Sequence, residues 1–160
     1  MTRNIAPLLL GLAFTLTASA ASAATPPSNY SGYVKLCNLR LQAKVDITFG
    51  QTGTTASVVA KSSPVTYNPA LMTAGVYGYS IVAETAVKPS NAHPWFFTEA
   101  EQFGSSGNAQ PDVRTGDVIF KDPNCDMRGT VTITTQCPAI SGMTSDTRVV
   151  ERRWVGCGVD

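Results

Sequence analysis

Val45 to Phe49 reads VDITF, with Val45, Ile47 and Phe49 on one side of an extended chain and Asp46 and Thr48 on the other. A two-residue period sends alternate side chains to opposite faces of a strand, so this segment has one face to bury and one to wet. The pattern recurs. Tyr33 to Cys37 (YVKLC) sets Val34 and Leu36 against Lys35, and Val76 to Ala83 (VYGYSIVA) places Tyr77, Tyr79 and Ile81 on one face. Thr130 to Gln136 (TVTITTQ) alternates Val131 and Ile133 with β-branched threonines, which suit a pleated surface. Ala56 to Ala60 and Val65 to Tyr67 are weaker extended segments, and Arg148 to Val155 (RVVERRWV) is the last. Turn residues separate them: Gly50 to Gly53, Pro64, Asn68-Pro69, and Pro138 with Ser141, Gly142 and Ser145. The one trace of helical period is Thr98 to Phe103 (TEAEQF). Many short strands between turns predict an all-β chain, a small antiparallel β-sandwich.

The first two dozen residues carry a different signal. Arg3 precedes the apolar run Ile5 to Phe14 (IAPLLLGLAF), and small residues follow from Ala18 to Ala24. A basic start, a short apolar core and small residues at a cleavage point are the marks of a secretory signal peptide. Ala21 and Ala23 fit cleavage before Ala24, with Ala18 and Ala20 as the alternative pair. The apolar run is shorter than the roughly 20 residues that span a bilayer. No arginine pair precedes it, and no cysteine stands at the cleavage point to take a lipid. The expected organisation is a cleaved signal over 1–23, a flexible lead over 24–31 and one sandwich domain over 32–160. The expected location is periplasmic or extracellular, with no membrane span after cleavage.

Export makes the cysteines informative. Cys37, Cys125, Cys137 and Cys157 all lie beyond the signal, and an even count in an oxidising compartment predicts two disulfides. Zinc ligands usually come in close pairs, which these do not form. A strand over Thr130–Gln136 rises roughly 3.3 Å per residue and carries Cys137 away from Cys125. Bonded Cα atoms lie within about 7 Å, which disfavours joining those two. If Arg148 to Val155 returns antiparallel beside that strand, Cys125 comes near Cys157 and Cys37 is left for Cys137.

Val34-Lys35-Leu36-Cys37-Asn38-Leu39, then Val45-Asp46-Ile47, then Leu71 to Tyr77 (LMTAGVY) resembles the opening of certain uncharacterised exported bacterial domains. Those read V-R-h-x-N, V-D-h and L-x-A-G-x-Y, where h is apolar. The resemblance implies an immunoglobulin- or transthyretin-like sandwich. It covers roughly 50 residues, describes strands and a turn rather than a site, and transfers no functional residue.

Charge closes off several functions. Twelve Lys and Arg face eleven Asp and Glu, a formal +1, and loss of Arg3 with the signal brings the two into balance. Only 14% of residues are charged, against roughly 25% in soluble domains. A neutral chain lacks the basic stripe that displaces counterions from nucleic acid, and the polybasic patch that holds anionic lipid.

Catalytic motifs are thin. A Ser-His-Asp or Cys-His site needs a histidine, and His93 is the only one. No G-x-S-x-G elbow or G-x-x-x-x-G-K-[ST] loop is present, and Ser105-Ser106 within Gly104 to Gly107 reads as a flexible loop. Asp122-Pro123-Asn124 with Asp126 is the densest set of calcium-type oxygens, but Pro123 and Cys125 interrupt it, so it reads as a turn. Glu99 and Glu101 would share a face on a strand and point apart on a helix, leaving a carboxylate hydrolase as one alternative.

The remaining feature is His93-Pro94-Trp95-Phe96-Phe97, in the polar segment from Lys88 to Gly116. Long ordered loops often carry function, and exposed aromatics there would stack on a sugar or dock a protein. Alternatively, Trp95 and Phe97 pack back onto the sandwich. The basic run Arg148 to Arg153 reads as the solvent face of an edge strand. The expectation is a non-enzymatic binding or accessory module without a cofactor, contacting an unknown protein or a neutral glycan through His93, Trp95, Phe96 and Phe97.

Overall fold

The VDITF alternation forms the centre of β2 (Leu41–Thr52), where Leu41, Ala43, Val45, Ile47 and Phe49 are all buried. A computed structural model describes residues 25–52, 55–71, 75–88, 94–106, 110–115, 118–120 (backbone) and 125–156. The expected signal over 1–23, His93, Asp122-Pro123-Asn124 and Cys157 lie outside these residues.

β1 (Tyr30–Leu36) and β3 (Thr55–Ser62) flank β2 antiparallel. Short strands extend this sheet: β4 (Thr66–Tyr67) pairs with β2, while β7 (Val113–Arg114) and β8 (Val118–Phe120) pair with β3. The second sheet holds four strands in the order β10-β9-β5-β6, all antiparallel. They are β5 (Gly78–Lys88), β6 (Phe96–Ser105), β9 (Asp126–Gln136) and β10 (Ser145–Val155). The only helical turn among the described residues is a 3₁₀ turn, Ala139–Ser141. The described residues are all-β, in two antiparallel sheets that face each other.

Period two explains the core. From the six-stranded sheet, Leu36, Val45, Ile47, Val58 and Ala60 point inward; from the four-stranded sheet, Ile81, Ala83, Met127, Val131 and Ile133 meet them. The sheets approach closely at Gly129, where an added Cβ would lie 2.6 Å from Ile47 Cγ2 and 3.3 Å from Val58 Cγ2. Glycine lets the two backbones approach there. Trp154 closes one side of the core edge-on to Phe49, their centroids 6.1 Å apart.

The expected β9–β10 hairpin is present, with Val150 opposite Val131 and Val155 opposite Asp126. The expected Cys37–Cys137 disulfide is also present, with its Cα atoms 5.4 Å apart. Of the expected pair Cys125–Cys157, Cys125 is disulfide-bonded. Beside Cys137 the chain makes an unusual turn: Cys37, Asn38 and Leu39 have φ of 52°, 52° and 70°. Left-handed backbone costs L-residues roughly 1–2 kcal/mol each, so the surroundings must hold it. The disulfide does so from one side. Asp146, itself buried, accepts the Cys37 N–H at 2.8 Å, the Asn38 amide donates to Ser141 O, and Asn68 Nδ2 donates to Leu39 O at 2.8 Å.

Four expectations are corrected. β1 begins at Tyr30, inside the polar lead, where the Asn29 carboxamide accepts the Phe49 N–H. The presumed loop from Lys88 to Gly116 contains a ten-residue strand, β6, paired with β5 from Phe96↔Val87 to Ser105↔Gly78. The helical trace Thr98 to Phe103 lies within that strand. Pairing with β5 overrides its helix-compatible composition, and Thr98 and Thr85 hydroxyls meet across the pair at 2.8 Å. Gly104 and Ser105 belong to β6 rather than to a loop, and Gly104 is covered by Tyr79: a Cβ there would lie 2.5 Å from the Tyr79 hydroxyl. Ser106 is also tied in, its N–H bonded to Tyr77 O and its Oγ accepting the Tyr77 N–H.

Candidate functional site

Pro94 and Trp95 lead directly into β6, so the aromatic segment lies at the start of a strand on the four-stranded sheet. Trp95 is partly buried. Its ring lies against two guanidinium groups, Arg128 at 5.1 Å and Arg153 at 5.5 Å from the centroid. Arg128 and Arg153 are register partners on β9 and β10, and both project to the outer face. Each is oriented by a carboxylate, Arg128 by Glu84 at 2.7 Å and Arg153 by Asp126 at 2.6 Å. Cations over an indole face are attracted by its quadrupole. The indole is therefore engaged within the chain, while Phe96 and Phe97 next to it are 54% and 65% exposed.

The registers order the rest of this outer face into rows. Phe97 stands in the row of Ala86, Arg128 and Arg153; the next row is Glu99, Glu84, Thr130 and Glu151. Then come Glu101, Val82, Thr132 and Val149, and finally Phe103, Ser80, Thr134 and Thr147. Phe103 is 71% exposed and Val149 60%. Thr130, Thr132 and Thr134 of β9 run down the middle, and Phe97, Phe103 and Val149 stand at the margins. Gly78 has no side chain to fill the end of this face. A groove of about 330 Å³ opens there between Phe103, Ser80, Thr134, Gln136 and Ser145.

The strand places Glu99 and Glu101 on one face, as two residues of the same parity must be. Both are exposed, and among the described residues no wall encloses them. No group of three His, Cys, Asp or Glu able to hold a metal occurs among the described residues. The basic run divides by parity. Arg153 belongs to the outer face, whereas Arg152 lies over the Tyr30 ring at 5.0 Å and Arg148 pairs with Asp146 at 3.1 Å. β10 is an edge strand of its sheet, and Arg148, Val149, Glu151, Arg152 and Arg153 are all exposed along it, although Arg148 and Arg152 have the parity of the inner side.

Phe103 and Val149 went unread in the sequence. Phe103 follows Glu99 and Glu101 at even spacing, a period-two signal hidden by Ala100 and Gln102 between them. No protein-family model matches the chain, and no curated protein or solved structure matches it either.

Proposed function

We propose that this chain is an exported, non-enzymatic binding or accessory module of the cell envelope or secretome, and that the outer face of its four-stranded sheet is the contact surface. One observation carries this reading: Phe97, Phe103 and Val149 are each more than half exposed on one face of the sheet. Large exposed apolar side chains gathered on one surface and rimmed by polar groups mark interaction sites. The site begins at Trp95 and the phenylalanines of β6. Trp95 orders the end of this surface through Arg128 and Arg153; Phe97 and Phe103 supply free rings. His93 adjoins it in sequence.

The immunoglobulin- or transthyretin-like class belongs to this proposal, supported by two opposed antiparallel sheets. So does a second disulfide, Cys125–Cys157. Extending the β9–β10 register by one step from Asp126↔Val155 sets Cys125 opposite Gly156, next in sequence to Cys157. A stapled neutral chain suits an oxidising, extracytoplasmic compartment. No helix among the described residues is long and apolar enough to cross a membrane.

The test is retention of the purified protein on an envelope or secreted fraction. Replacing both Phe97 and Phe103 with Ser should abolish retention, and Tyr33→Ser, on the outer face of the other sheet, should leave it intact. Equal retention of both variants would overturn the reading. A neutral glycan is the second reading, favoured by the groove that sets the Phe103 ring beside the Gln136 amide and three hydroxyl side chains. A glycan panel bound by wild type and lost with Phe103→Ala supports it; binding that survives removes it.

A further inference from the structure

The outer margin of the proposed contact surface is β6, and its edge carries a more specific inference. Among the described residues β6 pairs with β5 alone, and from Phe96 to Gly104 none of them adds a strand on its other side; Gln102 Nε2 donates to Pro111 O at 3.1 Å. Such an edge presents a row of backbone donors and acceptors that can template another chain. Natural edges are usually shortened, bent, covered by a loop or helix, or guarded by Pro or charged side chains, Lys above all. β6 has no Lys and no Pro between Phe96 and Ser105.

The outward side chains of β6 read, in order, Phe97, Glu99, Glu101 and Phe103. The two carboxylates are exposed, and no ion pair among the described residues includes either. Glu84 stands directly across from Glu99, but it is committed to Arg128 at 2.7 Å. The centre of the edge is therefore negative, and both ends are aromatic.

That pattern selects the occupant. A second copy paired antiparallel about Ala100 would set Glu99 against Glu101 of the other copy, twice, and like charges directly opposite one another are destabilising. A strand with cationic residues at the two central outward positions and apolar residues outside them would match all four. We propose that the free edge of β6 binds an extended, cationic segment of a partner protein by strand addition. Backbone hydrogen bonds would supply affinity, and Glu99 and Glu101 would select Lys or Arg at alternate positions. This rests on the reading of the outer face as a protein-binding surface, and it names the partner's chemistry.

The probe is a capped peptide of threonines alternating with valine, lysine, lysine and valine, titrated against the intact protein by calorimetry. Saturable binding is expected. It should weaken about tenfold in the Glu99→Gln/Glu101→Gln variant, as two exposed ion pairs would allow. N-methylating the peptide amides along one edge should abolish binding, and methylating those along the other should not. The variant's urea midpoint, unchanged from wild type, separates lost recognition from lost folding. Failure of the lysine peptide to bind, equal binding of its glutamate counterpart, or tolerance of methylation along both edges would overturn strand addition. If the lysine peptide fails while Phe97 and Phe103 still govern envelope retention, the surface stands and strand addition falls. If the peptide binds and retention is absent, strand addition stands and the envelope role falls.

Discussion

Gly129→Ala tests the packing of the two sheets, because two effects of opposite sign meet at that position. Gly129 does not have positive φ, so alanine fits its backbone. With open space above it, the substitution would stabilise the protein by about 0.4–1 kcal/mol, through lower entropy of the unfolded chain. The space is not open. The new Cβ would sit 2.6 Å from Ile47 Cγ2, roughly 1 Å inside a comfortable carbon–carbon separation of about 3.5–4.0 Å. Ile47 is fully buried and β-branched, so it cannot simply rotate away. Overpacking of this kind costs about 1–3 kcal/mol, leaving a net loss of about 1–2 kcal/mol after the entropic gain. Urea unfolding followed by tryptophan fluorescence, with the slope held equal, would measure it. Ile47→Leu removes Cγ2 at nearly constant volume, so Gly129→Ala should cost about 1 kcal/mol less in that background. A stabilising Gly129→Ala, or a cost that does not change with Ile47→Leu, would refute the close approach.

Three further outcomes follow from the same structure. Replacing Cys37 and Cys137 with serine opens a closure of 100 residues, and the chain-entropy estimate for such a loop is about 4.7 kcal/mol. A loss below about 1 kcal/mol by urea unfolding would contradict that closure. Leu39→Gly should stabilise by about 0.5–1 kcal/mol, since relief of left-handed strain exceeds the extra entropy glycine loses on folding; thermal unfolding reads the sign. Tyr79 is buried, its hydroxyl has no hydrogen-bond partner among the described residues, and burial raises its pKa above the ordinary 10.0. The unfolded chain therefore ionises first. Stability should be untouched below pH 10 and fall as the pH rises beyond it towards the folded-state value. Tyr79→Phe should flatten that alkaline limb and cost under about 1 kcal/mol at neutral pH, as alkaline urea titrations would show.

Where one face of a strand is dry and the other wet, the residues alone reveal it. Val45, Ile47 and Phe49 did so for β2, and Val131 and Ile133 for β9. The β9–β10 hairpin and the Cys37–Cys137 bond then followed from strand length and direction. β6 did not show itself. At the sheet margin Phe97, Glu99, Glu101 and Phe103 face solvent, while Thr98, Ala100 and Gln102 form its inner side. Neither set is distinctly apolar, so no dry face stands out, and Glu-Ala-Glu-Gln favours a helix in isolation. The proposed contact surface was half legible for a related reason. Aromatic residues at 95–97 stand out in any sequence, but Trp95 is held by Arg128 and Arg153 from distant strands. Only the register brings Phe103 and Val149 onto the face of Phe97.

The most direct measurement is photo-crosslinking from single positions on the two outer faces, with the protein mixed into envelope or secreted material. A photoreactive side chain at Phe103 or Val149 on the four-stranded sheet should give a discrete adduct, and one at Tyr33 or Lys44 on the other sheet should not. Adducts confined to Tyr33 and Lys44, with none from Phe103 or Val149, would contradict the assignment of function to the four-stranded sheet.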